Sequence, residues 1–401
     1  MSGSISIKEL EGLRSSLENE LQNVLRYWKD NTVDFENGGF YGKIDSSNLI
    51  HKKAPKGIIL NTRILWSFCR ASNFYNHREF DFEIERAFGY LNEKFRDNLH
   101  GGVFWEVDYA GIPTNKKKQV YAQAFCLYAL TEYYKYSKNP EAFAWANEIF
   151  ELLEKHAYDR RLGGYFEAFS RTWETLEDVR LSQKDLNAPK TTNTILHVLE
   201  AYTNFYEVSN KAEVKLALEK LIQLFHEKLF NSQNHLKLFF TNDWKSLSSE
   251  ISYGHDIEAA WLVLLACKVI ANDRLYLKTK SLLKDVCKTF INEALDNEFG
   301  VINSKNSRTQ QIDSDRHWWP QAEAMVGLIY NWKLNRVTND FKIVQQIWQF
   351  TEDNIIDHKL GEWYFRVDSS GKPYESENKV GPWKCPYHNT RALIEILELV
   401  K

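Results

Sequence analysis

Apolar residues recur along the chain at the three- to four-residue spacing of helices that bury one face. Most of these segments come in pairs, and turn signals such as Lys138-Asn139-Pro140 separate the two members of a pair. Paired helices are predicted at about 57–75 with 79–96, 121–134 with 142–153, 190–208 with 211–229, 254–271 with 273–293, and 318–334 with 338–356. A helix at about 7–29 and a last helix from about residue 387 bring the total to roughly twelve.

Short runs of alternating apolar residues, most of them opened by glycine, lie between the helical pairs. They begin at residues 38, 101, 163, 300 and 361, and the segment 235–240 occupies the remaining interval without the glycines. Successive runs are about 62 residues apart, a period typical of repeat architectures. Each run is interpreted as half of a β-hairpin, with turns at 111–113 and 370–373.

Six helical hairpins of one repeating kind favour an all-α fold whose units close into a ring. We therefore predict an (α/α)6 barrel of about twelve helices, with short β-hairpins in the connecting loops. An open solenoid of helix pairs is the alternative that the pattern leaves open. The chain has 401 residues and 43% apolar composition, so it can bury a large core, and residues 1–401 are expected to form a single domain.

Composition and charge narrow the class of partners. The net charge of −3 gives no electrostatic reason to bind nucleic acid, and no apolar run approaches the length of a membrane span. The N-terminus lacks the basic-then-apolar order of a signal peptide, and the five cysteines have neither metal-type nor disulfide-type spacing. These features predict a cytoplasmic protein with free buried thiols. We also expect a monomer, since the helical repeats leave no obvious extra apolar face.

Unusual polar and aromatic residues collect between each hairpin and the start of the next helix, and in a closed ring such positions face one funnel. His255 and Glu258 are three residues apart, a spacing that suits a carboxylate orienting an imidazole and also suits two metal ligands. Arg63 lies in an otherwise apolar helix, so it is either a structural ion-pair member or an anion stabiliser. His197 has either a functional or a structural role, and the tryptophans are either core rings or platforms for sugar faces. The other candidates are Tyr121, Asn193, Trp318, Trp319, Trp383 and His388.

Several longer motifs share one family pattern. They cover residues 118–125, 181–187, 196–204, 251–259, 318–324 and 381–389, and the match extends from Arg63 to Arg391. Together they resemble the cellobiose 2-epimerases, a branch of the N-acylglucosamine 2-epimerase superfamily, whose fold is the (α/α)6 barrel. The run Gly-Pro-Trp-Lys-Cys-Pro-Tyr-His at 381–388 is similar to the disaccharide-acting branch. One departure is His317, which stands where many relatives have an aspartate.

The resemblance implies an enzyme that epimerises C2 of the reducing-end sugar of β-1,4-linked disaccharides. It implies that His255 and His388 are the general acid/base pair and that Arg63 stabilises an oxyanion. His197 and Glu258 would hold the sugar and the imidazoles. The substrate-binding positions that it implies are Tyr121, Asp185, Asn193, Trp318, Trp319 and Trp383. Protons move and electrons do not, so neither a cofactor nor a metal ion is expected.

The residue types suit this chemistry and leave three alternatives. Imidazole titrates near neutral pH, so histidine serves as acid or base, whereas arginine keeps its proton. A monosaccharide 2-epimerase or an aldose–ketose isomerase of the same superfamily would use the same enediolate. A glycoside hydrolase on the same barrel would need two carboxylates, for which Asp185 and Glu258 are candidates. A non-catalytic sugar-binding protein is the third alternative.

Overall fold

A computed structural model describes residues 5–401, and twelve α-helices account for about half of that stretch. They are α1 (Ile7–Asn31), α2 (Ile58–Tyr75), α3 (Asp81–Tyr90), α4 (Val120–Ser137), α5 (Pro140–Leu152), α6 (Thr192–Ser209), α7 (Ala212–Leu224), α8 (Tyr253–Val269), α9 (Asp273–Glu293), α10 (Trp318–Asn335), α11 (Thr338–Phe350) and α12 (Tyr387–Leu399). Each coincides with a predicted helix; α3, α5, α7 and α11 continue into a five-residue π-helical turn. Across the described residues, no helix is both long enough and apolar enough to cross a membrane.

The even-numbered helices form an inner ring in which every helix packs on the next. The contacts run from α2 through α4, α6, α8 and α10 to α12, and α12 returns to α2. The odd-numbered helices lie outside, each against an inner partner. Burial agrees with this arrangement, since α8 is buried almost all round whereas α9 buries one face. The closed ring confirms the (α/α)6 barrel and excludes the open solenoid.

Tight left-handed turns join inner helices to the outer helices that follow them. Asn76, Lys138, Asn210 and Arg336 end α2, α4, α6 and α10 with φ between 47° and 59°. After Lys138, α5 begins at once, because Pro140 opens it and the Asn139 side chain accepts bonds from the backbone N–H groups of residues 141 and 142. The connections at this end of the barrel are therefore only two to five residues long.

At the opposite end, long loops return from the outer to the inner helices, and an aspartate anchors most of them. Asp97 accepts hydrogen bonds from the backbone N–H of Leu99 at 3.2 Å and from Lys118 Nζ at 2.9 Å. The pairs that repeat this arrangement are Asp34–Lys56, Asp159–Lys190, Asp296–Arg316 and Asp357–Lys379. Each cation shortly precedes an inner helix or a loop leading to one, so these ion pairs tie the loops to the ring.

Twelve short strands lie in the described loops at this end. They are β1 (Lys56–Gly57), β2 (Glu106–Val107), β3 (Pro113–Asn115), β4 (Lys118–Gln119), β5 (Ala168–Phe169), β6 (Lys190–Thr191), β7 (Phe239–Phe240), β8 (Glu250–Ser252), β9 (Ser304–Asn306), β10 (Ile312–Asp313), β11 (Arg316–His317) and β12 (Arg366–Val367). The predicted local hairpins form for β2–β3 and β9–β10. The remaining pairs, such as β4–β5, join the strand before an inner helix to the run of the next unit. Strands this short are not stable alone, so neighbouring units hold one another in what we call the strand collar.

Candidate active site

The first two turns of the inner helices meet inside the strand collar. We call the histidine cup the residues in or just before these turns: Arg63, Tyr121, His197, His255, Trp319, Trp383 and His388. The Arg63 guanidinium on α2 donates to the Tyr121 hydroxyl on α4 at 2.7 Å. The Tyr121 ring lies edge-on to His197 on α6, with the ring centroids 5.0 Å apart. Equivalent first turns are therefore in contact, and the repeat brings distant sequence positions into one site as predicted.

Trp319 lies between the two histidines predicted to be catalytic. Its ring centroid is 4.7 Å from that of His255 and 5.7 Å from that of His388. The ring fits there because residue 254 is glycine, and a Cβ at Gly254 would lie 2.5 Å from the Trp319 ring. Both imidazoles thus border one aromatic surface on which a sugar ring can lie.

Three histidines in the cup are all held through the same ring nitrogen, Nδ1. The partners are Glu200 Oε2 for His197 at 2.8 Å, Ser252 Oγ for His255 at 2.7 Å, and Glu323 Oε1 for His388 at 2.7 Å. Within residues 5–401, none of the three Nε2 atoms forms a hydrogen bond. A bond at one ring nitrogen fixes the orientation of the ring, so Nε2 is the atom left to exchange a proton with a ligand.

Burial favours the neutral form of both candidate catalytic histidines. It lowers the pKa of His255 from the ordinary 6.5 to about 4, although Glu258 opposes this shift. It also lowers the pKa of His388 well below the ordinary value, and the positive charges of Arg63 and Arg391 add to the effect. In both rings burial therefore favours the neutral form, which can accept a proton as a general base does.

Below the histidines, one buried arginine contacts three buried glutamates, and we call these four residues the arginine floor. Arg391 Nη2 donates to Glu258 Oε1 at 2.5 Å and to Glu323 Oε1 at 2.7 Å, and Nη1 donates to Glu200. Burial would raise the pKa of Glu200, but Arg391 and the bond from His197 lower it to about 2. Burial raises the pKa of Glu323 despite Arg391. One cation does not neutralise three anions, and when Nε2 is the proton-accepting nitrogen of His388, its Nδ1–H is a further donor to Glu323 Oε1.

A possible metal-ligand set lies in the same place. Among the described residues, Glu258, Glu323 and His388 each bring one ligand atom within 4.8 Å of the others. Arg391 already donates to both carboxylates. Its guanidinium therefore supplies positive charge where an ion would sit, and a divalent cation would have to displace these bonds.

Arg63 is buried without a carboxylate partner in the described part of the chain. Its guanidinium lies 4.2 Å from the Phe125 ring centroid and 4.6 Å from that of Tyr387, and Nε has no hydrogen-bond partner there. The sequence left two roles open for Arg63, a member of a structural ion pair or an anion stabiliser. The contacts of the described residues include no ion pair of Arg63. A buried cation that no anion neutralises is costly unless it binds something, which favours the role of anion stabiliser.

The three predicted tryptophan positions differ in exposure. Trp383 is partly exposed, and its ring centroid is 6.0 Å from those of both Trp105 and Tyr121. Trp318 is only 3% exposed and packs against Phe365 and His388, so it supports the cup from behind. Trp319 and Trp383 are the rings that a ligand can reach.

A loop before α6 borders the cup on the side of His255. Asp185 and Asn193 line a cavity of about 90 Å³ together with His255 and Glu167. Burial raises the pKa of Glu167 to about 8, although its carboxylate accepts bonds from Thr191 and Thr194.

His317, the departure from the family pattern, lies outside this cavity against Phe365, and burial lowers its pKa to about 4.

Five residues of the site were given no role from the sequence: Glu167, Glu200, Ser252, Glu323 and Arg391. Three of them follow a cup residue by one helical turn: Glu200 follows His197, Glu323 follows Trp319, and Arg391 follows His388. The same spacing singled out His255 and Glu258, so it could have located the arginine floor. Ser252 and Glu167 lie in loops and have no comparable signal.

Comparison with known proteins gives consistent matches over the whole chain. The family model for N-acylglucosamine 2-epimerase (GlcNAc 2-epimerase) matches residues 39–392. A cellobiose 2-epimerase from Bacteroides fragilis is 41% identical over 96% of this chain and 99% of its own length. Another from Dictyoglomus turgidum is 34% identical over 98% and 100%. The structure of a cellobiose 2-epimerase from Bacillus thermoamylovorans superposes with a TM-score of 0.92 at 37% identity, covering 97% of this chain and 99% of that one.

Proposed function

This chain belongs to the N-acylglucosamine 2-epimerase family, and we propose that it interconverts the C2 configuration of the reducing-end sugar of β-1,4-linked disaccharides. Cellobiose would give glucosyl-mannose, lactose would give epilactose, and mannobiose would give mannosyl-glucose. The relatives named as cellobiose 2-epimerases support this substrate class. The observation that carries the mechanism is the pair His255 and His388, both anchored through Nδ1 and both beside Trp319.

The reaction needs proton transfer at one carbon from two directions. After the sugar ring opens, the aldehyde acidifies the C2 proton, and a base removes it to leave a cis-enediolate. The intermediate turns about C2–C3, and an acid returns a proton to the other face. We assign His388 as the base toward the glucose form, which leaves its Nε2 protonated, and His255 as the group that reprotonates C2 after its own Nε2 has taken up a proton from water. Each step uses Nε2, since Nδ1 is already bonded on both rings.

The negative charge of the enediolate oxygen would be stabilised by Arg63. Its guanidinium is buried, retains its proton, and has no carboxylate partner among the described residues that would already neutralise it. A preorganised cation in a site that excludes water is worth more than the same cation in solvent. The floor would contribute indirectly, because Glu323 positions His388 and Glu200 positions His197.

The remaining cup residues would bind the two sugar units. Trp319 and Trp383 provide exposed ring faces for pyranose stacking. Trp318 is buried, so its part would be to hold His388. Polar contacts to the sugar hydroxyls are assigned to Tyr121, Asp185, Asn193, His197 and Glu258, as the family resemblance implies.

One incubation distinguishes this function from its alternatives. Purified enzyme is mixed with cellobiose, and the products are identified by NMR. Glucosyl-mannose supports the proposal, whereas glucosyl-fructose would indicate an isomerase, free glucose a hydrolase, and no conversion of cellobiose, lactose or mannobiose a binding protein. A hydrolase would need a proton-donating carboxyl beside the glycosidic bond, and Glu258 instead accepts a bond from Arg391.

We also propose that the protein is a cytoplasmic monomer. All five cysteines are buried and unpaired, which suits a reducing compartment. Sedimentation equilibrium of the purified chain tests the oligomeric state, and a mass that is twice that of the chain would contradict it.

A further inference from the structure

His255 is anchored differently from His388, the other histidine assigned to proton transfer. His388 Nδ1 lies 2.7 Å from Glu323 Oε1, and the same carboxylate oxygen accepts a bond from Arg391 Nη2 at 2.7 Å. His255 Nδ1 instead lies 2.7 Å from Ser252 Oγ, which belongs to an uncharged hydroxyl. One of the two histidines therefore has a carboxyl partner, and the other has a hydroxyl partner.

The Ser252 hydroxyl has no competing partner in the described part of the chain. Ser252 precedes α8, and its side chain forms no capping bond to that helix. Hydroxyls within the inner helices are already committed, since those of Thr62, Thr131 and Thr203 donate to the carbonyl one turn earlier. The contact with His255 is the one bond of the Ser252 hydroxyl among these residues, so both its hydrogen and its lone pairs can serve the imidazole.

An uncommitted hydroxyl suits an imidazole that changes its protonation state. Its oxygen accepts a bond from Nδ1–H, and its hydrogen can be donated to an Nδ1 that carries no proton. A carboxylate only accepts, and its negative charge favours the imidazolium form. The Ser252 hydroxyl thus holds the His255 ring without a negative charge that would retain the proton.

Two carboxylates near His255 do not replace the hydroxyl as the anchor of the ring. Glu258 lies one helical turn further along α8, but its Oε1 accepts a bond from Arg391 at 2.5 Å. Asp185 lines the small cavity beside the His255 ring. Neither carboxylate forms a hydrogen bond with this ring among the residues that the structure describes. Ser252 is therefore the hydrogen-bonding anchor of His255.

We propose that Ser252 is a positioning residue for the proton transfer between His255 and C2 of the sugar. With the glucose form bound, His388 removes the C2 proton, and the imidazolium of His255 returns a proton from Nε2 to the opposite face. The neutral His255 that results donates from Nδ1–H to Ser252 Oγ. His388 then releases its proton to water, and His255 Nε2 takes one up from water. This inference rests on the proposed epimerase function.

Substrate isotope effects measured in both directions test this role. Cellobiose and glucosyl-mannose are each prepared with deuterium at C2 of the reducing-end sugar. For each, kcat/KM of the full-length enzyme is compared with the value for the unlabelled sugar. His388 cleaves the C2 bond to hydrogen in one direction, and His255 cleaves it in the other. Loss of an anchor that serves His255 alone should therefore change the two isotope effects in opposite ways.

Ser252→Ala should slow the step at His255 specifically. A lost hydrogen bond to a charged group should lower kcat/KM by roughly 10- to 100-fold in both directions, mainly through kcat. Because transfer at His255 becomes the slow step, the isotope effect with labelled glucosyl-mannose should rise toward its full value. The isotope effect with labelled cellobiose should fall toward unity, since removal of the proton by His388 then precedes the slow step.

Three further variants provide the matched comparisons. Ser252→Thr keeps the hydroxyl, and the extended backbone there (φ −109°, ψ 101°) accepts a β-branched side chain, so native isotope effects should return. Ser252→Cys has a group that forms weaker hydrogen bonds and should show the same opposed changes at smaller size. Ser246→Ala removes an exposed hydroxyl from the loop before β8 and should change neither isotope effect. Thermal unfolding establishes that each variant is folded.

Isotope effects that stay native, or that move in the same direction, in Ser252→Ala and Ser252→Cys would overturn the role of Ser252. Full kcat/KM in Ser252→Ala would overturn it equally, as would a Ser252→Thr variant that is as impaired as Ser252→Ala. A native chain that forms no glucosyl-mannose from cellobiose would refute the proposed function and this inference with it. Native turnover with unchanged isotope effects in the variants would refute the role of Ser252 alone.

Discussion

The two ends of the barrel are built from the same six inner helices and differ in almost every other respect. The end under the strand collar places histidines and accessible tryptophans in or just before the first turns of the inner helices. The other end places paired charges in the last turns, such as Arg70 with Glu398. The difference shows that the ring supplies a scaffold, while the position along each inner helix decides the chemistry. The arginine floor is the layer that separates the end with the histidines from the end with the paired charges.

Loop length explains why the first turns carry the reactive groups. Two- to five-residue turns connect the helices at the end opposite the strand collar, so few loop residues are available there to contact a ligand. The long loops of the other end are fixed by strand pairs and by buried ion pairs such as Asp97–Lys118. Rigid loops can hold side chains in a defined geometry around a ligand.

The largest effect is expected where a cup histidine is removed. His255→Ala and His388→Ala should each leave less than a few per cent of epimerase turnover, since a positioned acid/base group contributes roughly 10²–10⁴-fold. Steady-state assays with cellobiose measure this loss. His358→Ala, at an exposed site, is the control and should keep full turnover. Substantial turnover in either cup variant would remove that histidine from the mechanism.

Arg391→Met should strongly lower the free energy of unfolding. It leaves Glu200, Glu258 and Glu323 buried without their cation, and losing one partner of a buried pair costs about 3–5 kcal/mol. Urea unfolding measures the loss of stability. The matched variant Arg70→Met should lose less, because Arg70 is 19% exposed and its partner Glu398 is 36% exposed. Equal losses would mean that the floor has no special role.

Trp383→Ala should affect substrate binding more than chemistry. A lost stacking contact is worth about 0.5–1.5 kcal/mol, so KM for cellobiose should rise by up to about tenfold, with a smaller change in kcat. Trp383→Phe retains a ring and should stay close to the native KM. A fall in kcat at constant KM would instead place Trp383 in the proton-transfer step.

The smallest expected effect is on the pH dependence of stability and of kcat/KM. The pKa of His255 is about 4 in the folded chain against the ordinary 6.5. Between these values the unfolded chain binds more protons, so this group's contribution to stability falls as pH falls. The acid limb of the kcat/KM profile should accordingly lie below pH 6.5 and approach 4. An acid limb of the kcat/KM profile at or above pH 6.5 would contradict the claim that burial favours neutral histidines.

Helices and cup residues could be predicted from the sequence because both depend on local spacing. The period of apolar residues located all twelve helices, and position in the first turn singled out His255 and His388. Strand partners could not be predicted, since β4 and β5 are two residues long and about fifty residues apart. The contact of His388 with Glu323, like that of Arg391 with Glu200, joins helices that meet only when the ring closes.

Isotope exchange at C2 tests the central claim, that two histidines exchange a proton at one carbon. Cellobiose is converted in D2O, and the product is isolated and examined by NMR and mass spectrometry. Proton transfer through exchangeable imidazole nitrogens predicts glucosyl-mannose that carries deuterium at C2 of the reducing-end sugar. Glucosyl-mannose with only hydrogen at C2 would contradict the account.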